Sequence, residues 1–228
     1  MSLRKRVETG IPDIRLEQLC LGDYSLAYGS GLALGKGYPQ FPSEGSVSNP
    51  VTYSDGIKLY RSTSSYRYFQ GAAASLGSEH FTVDLFVSDR NIDAQIDSGA
   101  ITSLPQTGLH RTATELDRRN AAQQTVTGTS IGYRSSDSTV SALKAGLTAY
   151  SMKYDHPIAP ADSSSGKFSG SQLTMASVYI SAVTDPIEFD AEYAEEHSDE
   201  KYNGAFALTV IADPFERLRL TANFHHLP

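Results

Sequence analysis

An all-β fold, arranged as an antiparallel up-and-down meander, is predicted for this chain of 228 residues. Three observations predict it: side chains alternate between apolar and polar, long connections alternate with short ones, and the predicted strands are long. The alternation is cleanest in residues 81–87, 187–193, 206–210 and 218–224. Because successive side chains of a strand point to opposite faces, each of these runs has one apolar face and one mostly polar or small face.

Less regular runs supply the other strands. They cover residues 19–28, 56–61, 66–76, 125–134, 143–154 and 173–182. Tight turns are predicted where Gly, Ser, Asp or Pro cluster, at residues 77–79, 135–138, 184–186 and 213–214. Longer excursions are predicted at residues 91–123, 155–170 and 195–203, the last of them short and acidic.

Tight turns at one end and long loops at the other are typical of an outer-membrane β-barrel. Residues 143–154 and 173–182 also reach the roughly 9–11 residues that a tilted membrane strand needs. The chain has 13 Tyr and no Trp, and tyrosines near strand ends suit aromatic girdles, although Tyr also simply favours strands. We therefore expect residues 1–228 to form a single β-barrel-like domain, incomplete as a ring and part of a longer chain.

Composition argues against several other classes of protein. The formal net charge of -7 is unlike that of an electrostatic nucleic-acid binder. A single cysteine, Cys20, excludes a disulfide within the chain and a zinc cluster built on cysteines. The start of the chain has no apolar segment of the signal-peptide kind. Two interpretations stay open: a soluble cytoplasmic protein, or a piece of a longer chain whose export signal lies upstream.

One short helix is predicted inside the longest loop, over residues 112–122. Thr112 and Glu115 have the spacing of a capping box, in which each side chain accepts a hydrogen bond from the other residue's backbone N–H. Together with His110 and Arg111 they form a first candidate site. It could bind an anion at the start of the helix, or hold the loop in shape through hydrogen bonds, and we favour the second interpretation.

An acidic row is the second candidate site. Glu188, Asp190 and Glu192 fall on one face of a predicted strand, and further carboxylates follow at Glu195, Glu196, Asp199 and Glu200. Paired carboxylates can act as acid and base in a glycosidase, and clustered oxygens can hold Ca²⁺. A polar row that lines the inside of a barrel accounts for the same pattern. We therefore predict no catalytic residue, no metal site and no cofactor.

Two glycine-rich motifs are rejected as sites. Residues 29–37 lack the Gly-Lys-Ser/Thr sequence that opens the helix of a phosphate-binding loop. Residues 128–132 spell the Gly-x-Ser-x-Gly of a hydrolase nucleophile elbow, but that elbow needs a turn into a helix. Here the run continues as a predicted strand.

Three local stretches resemble a family of membrane proteins. Residues 21–32 carry a Gly-Asp-Tyr…Gly-x-Gly-Leu stretch, residues 69–74 follow an Arg/Tyr-rich segment, and residues 108–116 carry Gly-x-His-Arg-Thr before a capped helix. They resemble, over roughly residues 16–154, the barrel region of helix-hairpin-helix-containing proteins of the Bacteroidetes and Chlorobi type. The resemblance implies a place in the bacterial outer membrane, with the lipid bilayer and the remaining strands of a longer chain as partners. This sequence has no helix-hairpin-helix segment, so no nucleic-acid binding and no functional residue is carried over.

The predicted function is that of a membrane-embedded β-barrel with a structural, pore-forming or transport role and no enzymatic activity. The alternative is a soluble β-sandwich or jelly-roll module that binds a ligand such as a carbohydrate. The two differ in what covers the apolar rows. Leu218, Leu220 and Phe224 would face lipid in the barrel, whereas in the sandwich they would pack against a second sheet.

Overall fold

The computed structural model describes residues 2–3, 7–8, 14–35, 56–61, 68–105, 108–135, 142–159, 168–198, 202–215 and 218–226. Its strands are β1 (Ser2–Leu3), β2 (Val7–Glu8), β3 (Arg15–Ala27), β4 (Gly56–Leu59), β5 (Phe69–Gly77), β6 (Phe81–Ile92), β7 (Gln95–Asp97), β8 (Ala100–Ser103), β9 (Ala122–Arg134), β10 (Leu143–Ile158), β11 (Gly170–Thr184), β12 (Ile187–Ser198), β13 (Tyr202–Phe215) and β14 (Leu218–His226). One helix, α1 (Ala113–Asp117), lies between β8 and β9. In the described part of the chain, no helix is long and apolar enough to cross a membrane.

All the described strands belong to one up-and-down sheet, which is antiparallel except for a single parallel pairing of Ile101 in β8 with Ile158 in β10. Its long strands follow the order β3-β5-β6-β9-β10-β11-β12-β13-β14. The short strands β1, β2 and β4 pair with β3, while β7 and β8 form a small hairpin that touches β10. Among the described strands, β14 pairs only with β13, so the sheet is not closed. The prediction of an all-β meander with one short helix in a long loop is confirmed.

Most strands extend beyond the predicted runs. Strand β10 has 16 residues and β11 has 15, and 11 successive register pairs join Leu143–Lys153 of β10 to β11. Alternating polarity marks only the part of a strand whose two faces differ in polarity. Backbone pairing continues wherever a neighbouring strand offers donors and acceptors. The strands therefore continue past the end of the apolar pattern.

The predicted acidic connection at residues 195–203 is wrong. Glu195 pairs with Gly204, Glu196 with Asn203, and His197 with Tyr202, so β12 and β13 form a hairpin here. Glutamate is a weak strand former. The free energy that this costs is smaller than the stabilisation from the ladder hydrogen bonds and the cross-strand packing. Asp199 and Glu200 lie outside the described residues.

The predicted turn at Asp213-Pro214 is also wrong. Strand β13 continues to Phe215, and the register shifts between Ala212 and Phe215. Proline cannot donate to a ladder, but a bulge leaves one residue without a ladder partner and so accommodates it. The bulge allows Pro214 to lie within a strand end.

The helix is shorter than predicted, five residues in place of the expected run 112–122. Its capping box is present: Thr112 Oγ1 accepts from Glu115 N at 3.2 Å, and Glu115 Oε2 accepts from Thr112 N at 3.0 Å. Asn120 then has a positive φ of 52°, and Ala122 already pairs with Ile92 of β6. The helix ends early because the chain must turn back into the sheet.

Candidate functional site on the inner face of the sheet

The sheet has two faces of opposite character, which we call the inner face and the outer face. On the inner face, Ser130, Thr148 and Ser177 stand side by side on β9, β10 and β11, with side chains that are 3%, 0% and 5% exposed. The Ser130 and Thr148 hydroxyl oxygens lie 2.9 Å apart and share a hydrogen bond. The buried face therefore carries a polar row.

The neighbouring row on the outer face is apolar. Ile131, Leu147 and Val178 occupy the same three strands in register, and they are 48%, 50% and 51% exposed. Other large apolar side chains are exposed on the same face or at the strand ends, including Leu21, Phe81, Leu85, Val87, Ile180, Leu220 and Phe224. At this level of the sheet, polarity is inverted relative to a water-soluble sheet, which buries its apolar row and exposes its polar row. Towards the long-loop end the inner face buries apolar side chains as well, among them Val126, Met152 and Met175.

The segment after β3 lies against the inner face, and we call residues 28–35 the inner loop. Its main contact is with Glu192 of β12, which is 1% exposed. Oε2 of Glu192 accepts hydrogen bonds from Ser30 Oγ at 2.9 Å and from Leu32 N at 3.0 Å, and Oε1 accepts from Ala33 N at 3.3 Å. A buried carboxylate needs such partners, because an unpaired one is very costly to desolvate.

Two tyrosines hold the inner loop from other strands. Tyr28 Oη donates to Asp84 Oδ2 of β6 at 2.8 Å, and Tyr150 Oη of β10 donates to the Ala33 carbonyl oxygen at 3.1 Å. The loop thereby joins β6, β10 and β12, although β9 and β11 also lie within that part of the sheet. The sheet must curl around the loop for these strands to reach it together.

Glycines on the inner face leave room for aromatic rings. A Cβ atom built on Gly128 of β9 would lie 2.5 Å from both Phe86 Cζ and Tyr150 Cβ. A Cβ atom on Gly146 of β10 would overlap the ring of Tyr179. In these strands glycine marks close packing across the sheet, as expected for glycine inside a strand.

A second polar cluster lies on the inner face towards the long-loop end of the strands. Arg90 Nε donates to Gln124 Oε1 at 3.3 Å, and Gln124 Nε2 donates to Tyr154 Oη at 2.9 Å. The Arg90 guanidinium also lies 4.9 Å from the centre of the Tyr68 ring, within the range of a cation–π contact. Buried polar groups therefore also occur at this end of the inner face, among buried apolar side chains such as Met152 and Leu173.

The acidic row predicted from the sequence lies on the inner face, but its members do different things. Glu192 holds the inner loop, while Asp190 is buried and its Oδ2 accepts no hydrogen bond from the described residues. Glu188 is half-buried near the start of β12. Among the described residues, no group of three His, Cys, Asp or Glu side chains is placed to hold a metal ion.

The predicted site around His110 lies in the loop that carries α1. His110 Nε2 lies 2.7 Å from Asp93 Oδ2, and Glu115 Oε2 accepts from Arg111 N at 2.8 Å as well as from Thr112 N. Asp93 also accepts from Asn120 N at 3.1 Å, through its other oxygen. Arg111, Thr112 and Glu115 are thus joined to one another by hydrogen bonds, whereas His110 bonds to Asp93 of the same loop.

A cavity of about 580 Å³ opens on the inner face at the tight-turn end of the strands. Asp84 is its most buried charged residue, at 4% exposed, and its Oδ1 accepts no hydrogen bond from the described residues. Arg134 and Lys144, paired in register on β9 and β10, also line it. Its other lining residues are Glu17, Gln18, Tyr28, Gly56, Ile57, Ser75, Thr82, Ser130, Gly132, Tyr133 and Tyr179.

Sequence reasoning did not single out this cavity or the inner loop. One local signal for Asp84 existed: it is the one carboxylate within the alternating run 81–87. For the inner loop there was no local signal, because its partner Glu192 is about 160 residues away in the chain. The rejection of a nucleotide site in the glycine-rich run 29–37 stays a prediction, and residues 36–37 lie outside the described part.

No family model, no curated protein and no solved structure matches this chain. The resemblance to the barrel region of helix-hairpin-helix-containing proteins therefore stays a prediction. The features that bear on function are the two faces of the sheet and the groups on its inner face.

Proposed function

We propose that this chain is part of a membrane-embedded β-barrel of the outer-membrane type, with a structural or transport role and without catalytic activity. Its outer face would contact lipid, and its inner face would line a polar interior that the inner loop partly fills. The proposal follows the direction in which each row of side chains points.

The contrast between the two neighbouring rows carries the proposal. Ile131, Leu147 and Val178 are about half exposed, while Ser130, Thr148 and Ser177 beside them are buried. In water, apolar rows are driven inward, because each Å² of apolar surface removed from water is worth about 25 cal/mol. Contiguous exposed apolar surface marks a membrane or protein contact. Along each strand of a membrane barrel, apolar side chains that point outward alternate with polar side chains that point inward.

The three residues that separate the two hypotheses support the same proposal. Leu218, Leu220 and Phe224 are 43%, 54% and 61% exposed, and the described strands form one sheet. A β-sandwich needs a second sheet that packs on such a row at about 10 Å. The soluble binding module is therefore the weaker candidate.

The open edge indicates what else the complete assembly must contain. Lipid offers no hydrogen-bond partner to backbone N–H and C=O groups, so an unpaired strand edge is expensive in a bilayer. Among the described residues, strand β14 has such an edge. We propose that further strands of a longer chain pair with this edge and close the barrel.

The test is folding of this chain with and without a membrane mimetic. We expect the purified chain to aggregate in plain buffer, and to refold in detergent micelles or short-chain lipid vesicles with a far-ultraviolet circular dichroism signal typical of strands. Resistance to dodecyl sulfate, seen as different gel mobility of unheated and boiled samples, is expected of the longer chain whose added strands close the barrel. Protease treatment of refolded vesicles should leave a protected core.

Two outcomes would contradict the proposal. One is a monodisperse, folded monomer in buffer without detergent. The other is full protease sensitivity in vesicles despite a native strand signal, which would place the sheet outside the bilayer. If the chain inserts as proposed, release of a small dye from loaded vesicles would distinguish a transport role from a structural one.

A further inference from the structure

We propose that the cavity at the tight-turn end binds a small zwitterionic solute, with its ammonium group on Asp84 and its carboxylate between Arg134 and Lys144. The proposed ligand belongs to the flexible ω-amino acids with a chain of several carbon atoms. The inference goes beyond the proposed function, because a barrel that binds no solute would still insert into a membrane.

Asp84 forms the cationic subsite. It lies on β6 between Ser75 of β5 and Ser130 of β9, and all three residues are in register and line the cavity. One carboxylate oxygen is held by Tyr28, and the other has no partner among the described residues. A buried acceptor of this kind is costly to leave unpaired, so a donor that enters the cavity gains a charge-assisted hydrogen bond.

An ammonium group fits this subsite better than a divalent cation does. Calcium takes six to eight oxygen ligands and magnesium about six, with carboxylates prominent among them. The cavity offers one buried carboxylate with serine hydroxyls beside it, and the described residues contain no metal-binding group of three acidic, His or Cys side chains. A group with three N–H donors can use Oδ1 of Asp84 and the neighbouring hydroxyls together.

Arg134 and Lys144 form the anionic subsite. Arg134 lies four residues after Ser130 along β9, which places it roughly 13 Å further along the inner face. It pairs in register with Lys144 of β10, so two cationic side chains line the same end of the cavity. Because the two subsites are several residues apart along β9, their separation suits a chain of several carbons better than an α-amino acid.

One cavity of about 580 Å³ joins the two subsites, and Gly132 lines it in the row between Ser130 and Arg134. The ring of Tyr179 covers Gly146, the register partner of Gly132, and its hydroxyl oxygen would lie 3.6 Å from a Cβ atom built on Gly132. Tyr133, Tyr179 and Ile57 also line the cavity, so rings and an apolar side chain accompany the charged groups. A charged anchor at each end of one cavity suits a flexible zwitterion.

The experiment uses 6-aminohexanoate as the probe, with the full chain refolded in detergent micelles and binding measured by isothermal titration calorimetry. Two comparison compounds each lack one charge: 6-amino-1-hexanol and 6-hydroxyhexanoate. Asp84→Asn should weaken binding of 6-aminohexanoate by about tenfold or more, since a charge-assisted hydrogen bond is lost. Glu196→Gln is the matched control, because Glu196 is also buried on the inner face and does not line the cavity.

The proposal predicts saturable binding of 6-aminohexanoate, weaker binding of both comparison compounds, and an unchanged dissociation constant in Glu196→Gln. Equal binding of all three compounds, no saturable heat, or equal loss in both variants would overturn it. If Asp84→Asn fails to fold, Arg134→Gln provides the test, since Arg134 lies at an exposed strand end. That variant should no longer prefer 6-aminohexanoate over 6-amino-1-hexanol. The strand signal in far-ultraviolet circular dichroism reports folding independently, so failure of binding is distinguishable from failure of the chain to fold.

Discussion

Ser30 Oγ donates a hydrogen bond of 2.9 Å to Glu192 Oε2, although 162 residues separate the two in the chain. The same carboxylate accepts two backbone N–H groups of the inner loop. One side chain on β12 therefore fixes a segment that follows β3, with five strands of the sheet's main path between them. The curl of the sheet and the position of the inner loop depend on the same contact.

Glu192→Ala should destabilise the fold by about 2–4 kcal/mol. The substitution removes three hydrogen bonds and leaves two loop N–H groups buried without an acceptor, which costs more than the bonds themselves contribute. The free energy of unfolding can be measured by urea titration in micelles, followed by tyrosine fluorescence. Limited proteolysis should also cleave the inner loop faster.

Glu195→Gln provides the control for that experiment. Glu195 lies on the same strand but accepts a hydrogen bond from Tyr193 in an exposed pair. Surface substitutions of this kind change stability by about 0.5 kcal/mol or less. Equal losses in the two variants would mean that Glu192 contributes only as a polar residue of β12 and does not hold the loop.

Gly128→Ala should destabilise the sheet by about 1–3 kcal/mol, the usual cost of overpacking. Its new Cβ atom would lie 2.5 Å from Phe86 Cζ and Tyr150 Cβ and 2.7 Å from the Ala149 carbonyl oxygen. Gly132→Ala, on the same strand and face, would meet only Tyr179 Oη at 3.6 Å. That control should be neutral or more stable by up to about 1 kcal/mol. A thermal or urea midpoint that shifts equally in both variants would show that the packing around Gly128 can relax.

The fold could be predicted from the sequence because its signals are local. In residues 81–87 and 187–193 the alternation specifies a strand and divides its side chains between two faces. The capping box at Thr112 specified where α1 begins in the same way. The end of α1 was predicted wrongly, because it depends on Ala122 pairing with Ile92 in another strand.

The site could not be predicted in the same way. Alternation shows that a strand has two faces, but it does not show which face is covered, and that question separates a barrel from a sandwich. Asp84, Arg134 and Lys144 come together only through the register of β6, β9 and β10. The acidic row was recognised as a row, whereas the role of Glu192 required its contact with the inner loop. Contacts between distant segments leave no periodic trace in the sequence.

The loop around α1 should lose order in acid. Backbone N–H groups of Arg111 and Thr112 donate to the Glu115 carboxylate and hold its pKa below the ordinary value of 4.5. A pKa that is lower in the folded state means that the carboxylate stabilises the loop above pH 4.5 and that this contribution is lost as the pH falls through the folded pKa. The protection factors for hydrogen exchange at residues 111–117, which correct for the slower intrinsic exchange in acid, should therefore fall below that pH. Glu115→Gln should exchange rapidly without this pH dependence, and identical profiles for the two proteins would contradict the assignment.

Leu147→Arg should prevent or strongly weaken insertion into lipid vesicles. Leu147 lies in the outer-face row between Ile131 and Val178, and an arginine at the middle of a bilayer costs about 2–4 kcal/mol. Ser151→Arg is the matched control, since Ser151 lies on the same strand and face, four residues towards the long-loop end, where Asp89, Thr125 and Lys153 are also outward and polar. Near a membrane surface the same change costs about 0–1 kcal/mol. Denaturant titration of folding into vesicles measures both values. In a water-soluble sheet the half-exposed Leu147 would tolerate arginine as readily as Ser151 does, so equal small effects would place the outer face in water and not in lipid.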